Sequence, residues 1–249
     1  MKLRRLPEIE LANVLLMERR AKKAHLTRFA RGRAFWSYDP ARRATATILN
    51  AQTPLGLALK RVPDEEIIRQ IKRACTHPKQ LLSCVEVVRL LMGYRDRAID
   101  RAVERRFPTV AIGRVGTVRF ADNLIYQESG RSFVPFLDHR RGSGLTQIGR
   151  LGAFSMMHQS VRVPDPDMSD VDLAIIQFAQ APGRVRTYQV HRASALSQSL
   201  LTFDELQEAI EETHLVWLEV QQEEAARRGQ ATPDAEAEEA GRQWRFKGF

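Results

Sequence analysis

The chain has 249 residues, a net charge of +9 and 43% hydrophobic residues, a composition typical of a globular protein that can bury a substantial core. No apolar run approaches the roughly 18 residues of a membrane span, and the N-terminus MKLRRLPEIE lacks the apolar segment of a secretory signal. We therefore expect a cytoplasmic protein without a membrane segment. The two cysteines, Cys75 and Cys84, have no partners at ligand spacing, and no phosphate loop or dinucleotide fingerprint occurs, so we expect no metal, no cofactor and no disulfide framework.

The charge is distributed unevenly along the chain. Residues 1–62 carry a net charge of +10, residues 63–162 carry +7, and residues 163–249 carry −8. Arginine and lysine side chains displace the counterions that surround a nucleic-acid backbone, so a basic first two-thirds indicates a polyanion partner. The acidic last third does not fit that partner and points to protein contacts.

Residues 1–62 are predicted to form a basic helical N-terminal region. A helix beginning at Pro7 is expected to run to Ala24, with cations crowding its last turns. Cations interleaved with aromatic residues can follow phosphates and stack on bases. The candidate nucleic-acid contacts in this region are Arg19, Arg20, Lys22, Lys23, Arg28, Arg31, Arg33 and Trp36. In the alternative interpretation, the aromatic residues anchor an arm to the core and the arginines face water.

Residues 63–228 are predicted to form an α+β core domain. The fold class is a mostly antiparallel sheet of about five strands within residues 109–191, packed by helices. Helices are expected at 78–106, 145–161 and 203–227. Apolar positions on these helices are expected to face the core, among them Leu82, Ile148, Leu206, Ile210, Leu215 and Trp217.

The stretch 131–178 is predicted to be the centre of the molecule: a strand, a basic turn, a helix and a second strand. Residues 131–138 are apolar on both faces, which is typical of a strand covered on both sides, while Pro135 predicts an edge or a bulge. Gly149 and Gly152 are expected to let the helix approach the sheet closely.

The basic turn before this helix is a candidate anion site. Its residues Arg140, Arg141, Ser143 and Thr146 precede a helix N-terminus, where unpaired N–H groups favour a phosphate or a carboxylate. In the alternative, Ser143 or Thr146 caps the helix and the arginines are solvated or paired with Asp138.

A strand meander beside a helix also resembles the layout of restriction-type nucleases, in which a helix glutamate and two strand carboxylates hold a divalent metal beside a lysine. The matching residues here are Glu86, Asp122 and Asp138, with Arg140 at the position of the lysine. Arginine stays protonated and is a poor metal-site base, so the resemblance implies a divergent or inactive nuclease.

Residues 229–249 are predicted to be a mobile linker followed by a basic-aromatic tail. Trp244, Phe246 and Phe249 are candidate docking residues for a protein partner or for self-association, because exposed aromatic and arginine anchors carry binding energy at interfaces. In the alternative, the tail folds back onto acidic residues of helix 203–227, such as Glu219 and Glu223.

The sequence thus predicts a nucleic-acid-binding protein, a non-enzymatic subunit of a DNA- or RNA-processing assembly that contacts phosphates through its basic two-thirds. Two other functions stay open. One is a divergent metal-dependent nuclease, and the other is a protein-binding adaptor that uses the acidic last third.

Overall fold

The computed structural model describes residues 6–32, 37–53, 60–112, 116–118, 120–142, 144–180, 183 and 185–229. The helices of this part are α1 Glu8–Val14, α2 Arg19–Arg31, α3 Asp39–Arg43, α4 Thr45–Ile48, α5 Asp64–Ala74, α6 Pro78–Ala98, α7 Gln147–Val161 and α8 Phe203–Gly229. The strands are β1 Arg101–Glu104, β2 Val110–Ile112, β3 Gly116–Val118, β4 Leu124–Glu128, β5 Arg131–Asp138, β6 Asp172–Ala179 and β7 Thr187–Arg192. Across these ranges, no helix is both long and apolar enough to cross a bilayer.

The main sheet has five strands in the order β1-β4-β5-β6-β7, and β2 and β3 form a separate two-stranded ribbon. The pair β5–β6 is parallel, with Phe133 opposite Asp172 and Asp138 opposite Gln177, and the other pairs are antiparallel. A parallel pair needs a crossover connection, which α7 provides. The predicted α+β class with about five mostly antiparallel strands is confirmed.

Both faces of the sheet are covered, as the apolar pattern of β5 predicted. Alternate side chains of β5 and β6 belong to two different cores. One core packs against α1, α2, α7 and α8 and includes Val134, Phe136, Leu173 and Ile175. The other packs against α3, α4, α5 and α6 and includes Phe133, Leu137, Ile176 and Phe178. Helices from residues 1–62 therefore contribute to both cores, and the boundary near residue 62 stays a prediction.

The position of β5 corrects one expectation, because Pro135 lies at the centre of the sheet and not at an edge. The ladder between β4 and β5 ends at Phe133, so the missing N–H of Pro135 lies beyond it. Asp122 completes this side of β5: its N–H donates to the Pro135 carbonyl (2.9 Å), and its Oδ2 accepts from the Leu137 N–H (2.8 Å). A loop residue thus replaces the ladder where proline cannot donate.

The N-terminal helix is also divided, since α1 ends at Val14 and α2 begins at Arg19. The α1 segment packs on α7 rather than continuing, and Gly149 and Gly152 make room for it. A Cβ on Gly149 would lie 2.2 Å from Asn13 Oδ1, and one on Gly152 would lie 3.0 Å from Leu15 Cδ2. These glycines therefore admit α1, not the sheet as expected.

Two further boundaries and several apolar positions differ from the predictions. Helix α6 ends at Ala98, and β1 begins at Arg101 within the range expected to be helical. The strands β2 and β3 form the separate ribbon and do not join the main sheet. Three side chains expected in the core are exposed instead, namely Leu82, Ile148 and Leu215. By contrast, α8 begins as predicted, with Thr202 and Glu205 exchanging hydrogen bonds as a capping box.

Candidate functional site

The basic helix α2 is paired with the acidic helix α8 along its length. The side chains of Arg19 and Lys22 form ion pairs with Glu219 and Glu212. Lys23 Nζ lies 2.6 Å from Glu223 Oε1 and 3.8 Å from Glu219 Oε2, and Arg31 Nη2 lies 2.8 Å from Glu224 Oε1. Four of the eight candidate phosphate contacts of the N-terminal region are therefore bound to glutamates of the same chain.

These pairs change the local protonation equilibria. The hydrogen bond that Lys23 donates to Glu223 raises the pKa of Lys23. The hydrogen bond from Arg31 lowers the pKa of Glu224. Both shifts favour the charged forms, so these ion pairs are between ionised groups. Arg20 and Arg28 are exposed, and Arg33 and Trp36 lie outside the described residues.

The basic turn after β5 is organised by a buried carboxylate. Asp138 accepts hydrogen bonds from the N–H of Leu145 (2.7 Å), the N–H of Arg140 (3.2 Å) and Nε2 of Gln177 (3.2 Å). Burial raises the pKa of Asp138, and the two backbone hydrogen bonds oppose that rise. A Cβ on Gly144 would lie 2.4 Å from Asp138 Oδ2, so the turn requires glycine at this position.

The N-terminus of α7 is already occupied by groups of this chain. Thr146 caps the helix, because its Oγ1 accepts from the Gly149 N–H (3.0 Å). Asn13 of α1 accepts from the Thr146 N–H (2.8 Å) and donates to the Gly144 carbonyl (3.1 Å). This geometry agrees with the capping alternative, and the anion site stays a prediction. Ser143 lies outside the described residues.

The two arginines of the turn also contact acids. Arg140 forms an ion pair with Glu10, whose other oxygen lies 2.9 Å from His25 Nε2. Arg141 Nη2 lies 3.6 Å from Glu86 Oε2. Burial raises the pKa of Glu10, but the hydrogen bonds from His25 and Arg140 outweigh it and leave that pKa lowered.

The three nuclease-like carboxylates do not form a metal site. Asp122 binds backbone groups of β5, Asp138 organises the turn, and Glu86 pairs with Arg186 Nη1 at 3.2 Å. In the part of the chain that the structure describes, no three His, Cys, Asp or Glu side chains lie close enough together to hold a metal ion. The structure therefore does not assemble the site that the nuclease resemblance implied.

Sequence reasoning missed a buried cluster around Arg186 and His139. The Arg186 side chain is fully buried and donates to the Phe178 carbonyl (3.1 Å), to Glu86 and to the His139 carbonyl (2.5 Å). His139 is stacked between Tyr38 and Phe178. Burial, with the nearby cations Arg42 and Arg186, lowers the pKa of His139 to about 3. No local pattern marks these residues, since their partners come from distant segments.

The described surface offers apolar side chains for a protein partner. Val185 is 86% exposed and Leu82 is 72% exposed. Other large apolar side chains with substantial exposure are Leu16, Ile148, Val163, Phe203 and Leu215. Scattered exposed apolar residues are common, so these side chains are candidates for contact and do not by themselves define a site. Trp244, Phe246 and Phe249 lie outside the described residues.

Comparison with known proteins identifies the family of this chain. The family model described as "Sliding clamp-binding bacterial toxin SocB" matches residues 9–227, from α1 almost to the end of α8. This chain belongs to the SocB family. A relative, the DNA replication inhibitor toxin SocB of Caulobacter vibrioides (strain NA1000 / CB15N), is 30% identical over 231 residues, which cover 92% of this chain and 95% of the relative. No solved structure matches the chain.

Membership of the SocB family corrects the main functional prediction. The prediction of a nucleic-acid-binding subunit with DNA or RNA as its main partner is wrong. The family is described by its binding to a sliding clamp, which is a protein. The ion pairs between α2 and α8 give the physical reason why the charge distribution misled. Cations that would signal a polyanion partner in an extended chain are matched by acids in the folded one.

Proposed function

We propose that this SocB-family chain binds the sliding clamp and thereby inhibits DNA replication. The observation that carries the proposal is the family match over residues 9–227, which includes nearly every described helix and strand. Of the three functions that the sequence left open, the protein-binding adaptor agrees best with this match. We also propose that the chain acts in the cytoplasm, since a DNA replication inhibitor must meet its target there.

The charge pairing within the fold supports a protein partner. The glutamates of α8 pair with four cations of α2, Glu10 pairs with Arg140, and Glu86 contacts both Arg141 and the buried Arg186. Binding to a phosphate backbone would require these pairs to be exchanged for phosphate contacts, with little net gain. A protein surface instead can use exposed apolar side chains such as Leu82 and Val185.

The family match does not include the C-terminal tail, so the tail and clamp binding are considered separately. The match ends at residue 227, so residues 230–249, which contain Trp244, Phe246 and Phe249, lie beyond it. We therefore expect clamp binding to reside in residues 9–227. The proposed docking role of the tail then concerns another contact. In the alternative, the tail folds back onto Glu219 and Glu223, but these glutamates are already paired with Arg19 and Lys23.

The test uses the full chain and a truncation after Gly229, each mixed with the purified sliding clamp of the source organism. We expect both proteins to co-elute with the clamp, and nuclease treatment should leave the complexes intact. Expression of either should stop incorporation of labelled nucleotide into DNA. Failure of the full chain to bind the clamp would overturn the proposal. Loss of binding in the truncation alone would move the clamp contact to the tail.

A further inference from the structure

The two outer edges of the five-stranded sheet differ in what covers them. The outer edge of β1 is covered by Gln52, whose N–H donates to the Ala102 carbonyl (2.9 Å) and whose carbonyl accepts from the Glu104 N–H (2.8 Å). At the opposite edge, β6 is the strand that pairs with β7, and within the described ranges no further strand follows. An edge strand with an unpaired row of backbone groups can accept another strand.

The register between β6 and β7 shows which backbone groups of β7 point away from the sheet. The Gln180 N–H donates to the Arg141 carbonyl (3.0 Å) on the β5 side, so the even-numbered residues of β6 direct their backbone groups toward β5. The odd-numbered residues of β6 then bond β7 through their partners Thr187, Gln189 and His191. Tyr188, Val190 and Arg192 consequently direct their N–H and carbonyl groups away from the sheet.

The sequence and pairing of β7 lack three features that commonly protect a free edge. Natural proteins commonly place lysine, proline or a bulge on an exposed edge strand. The sequence of β7 is TYQVHR, with neither lysine nor proline, and its six residues pair with β6 without interruption. Its one fixed cation, Arg192, is paired with Glu128 at 2.8 Å. The edge is therefore long enough and neutral enough to pair with another strand.

We propose that β7 pairs with β7 of a second copy of this chain, antiparallel, about a two-fold axis at Val190. The outward groups of Val190 then bond those of Val190 in the other copy, and the two sheets become one sheet of twice the width. Tyr188 lies opposite Arg192 of the other copy, a pair that permits a cation–π contact. The same axis placed at Arg192 would set two arginines opposite each other, which favours the register centred on Val190.

The charges near the axis are compatible with this pairing. Arg97 lies over the Tyr188 ring, 5.4 Å from its centroid, so it would meet Arg192 of the other copy. That arginine brings Glu128 with it, and the glutamate offsets the repulsion between the two cations. Gln189 and His191 oppose each other on the other face, and burial together with the nearby Arg150 lowers the pKa of His191, which disfavours a second cation there. The pairing is independent of the proposed clamp binding.

The self-opposed position gives a sharp test by light scattering after size-exclusion chromatography. The wild-type chain and Val190→Thr, which keeps the backbone donor and the side-chain shape, should be dimers at micromolar concentration. Val190→Lys and Val190→Glu should each be monomers, because each places like charges opposite each other. An equimolar mixture of the lysine and glutamate variants should form a dimer again. A wild-type monomer, or a lysine variant that stays dimeric, would overturn the proposal.

Two further measurements keep the test decisive. Truncation after Gly229 should leave the dimer intact, and a dimer lost with the tail would assign self-association to residues 230–249 instead. Hydrogen exchange on the unmodified chain covers the case in which the charged variants fail to fold. The outward Val190 amide should be protected at high protein concentration and exchange faster on dilution. An amide that exchanges fast at every concentration would contradict the pairing.

Discussion

At the scale of single residues, His139 and Asp122 show how position alters the meaning of a polar side chain. His139 is buried and stacked against two aromatic rings, and among the described residues neither ring nitrogen has a partner within hydrogen-bond geometry. A buried polar atom without a partner costs about 1–3 kcal/mol. Asp122, which sequence reasoning placed among metal ligands, instead completes the hydrogen bonding of β5 beside Pro135. Both roles depend on residues that are not sequence neighbours.

The substitution His139→Phe should be neutral or stabilising at neutral pH and should increase resistance to acid. Burial lowers the pKa of His139 to about 3 from 6.5, so between these values the unfolded chain binds a proton that the folded chain does not. The histidine therefore removes stability as the pH falls through this window, by up to about 1.4 kcal/mol per pH unit. Urea unfolding of both proteins at about pH 7.5 and about pH 5 checks this. A variant with the same acid sensitivity as wild type would contradict it.

The substitution Asp122→Asn should destabilise the fold by about 1–3 kcal/mol, because it weakens the acceptor for the Leu137 N–H. The loss should be the same with and without added divalent metal ions. Denaturant unfolding measures the loss, and Asp167→Asn, at an exposed residue, is the control. Equal stability of the two variants would show that Asp122 does not support β5.

At the scale of elements, the packing of α2 on α8 joins a basic helix to an acidic one. The buried residues of α2 are Lys22 and Leu26, so ion pairs provide much of the contact. Arg19 and Glu219 are 200 positions apart in the sequence, and Lys22 and Glu212 are 190 apart. A local pattern can therefore show that each helix is charged but not that the charges meet.

The ion pairs of α2 should differ strongly in their effect on stability. The Lys22 side chain is fully buried, whereas that of its partner Glu212 is 39% exposed. Glu212→Gln leaves a buried ammonium without its partner, which should cost on the order of 2 kcal/mol. Glu223→Gln removes the partner of Lys23, whose side chain is 38% exposed, and should have a much smaller effect. Thermal unfolding of both variants decides the matter, and equal losses would contradict the assignment.

At the scale of the whole molecule, the sequence predicted the architecture better than the function. The period of apolar residues and the capping residues located α7 and α8, and the two-sided apolar pattern of β5 predicted a sheet covered on both faces. The prediction that Pro135 lies at a sheet edge was wrong, because Asp122, in a loop, supplies hydrogen bonds to β5 where the ladder with β4 is absent. The prediction of a nucleic-acid partner was wrong because the sequence shows which residues are charged but not which of them form ion pairs in the fold.

The most direct test of the proposed function is a competition between a protein and a nucleic acid. A fluorescently labelled chain is titrated with the purified sliding clamp, with and without an excess of single- or double-stranded oligonucleotide, and anisotropy reports binding. The proposal predicts saturable binding to the clamp that the oligonucleotides do not reduce. Binding to the oligonucleotides that falls steeply as salt is raised, with no response to the clamp, would contradict it.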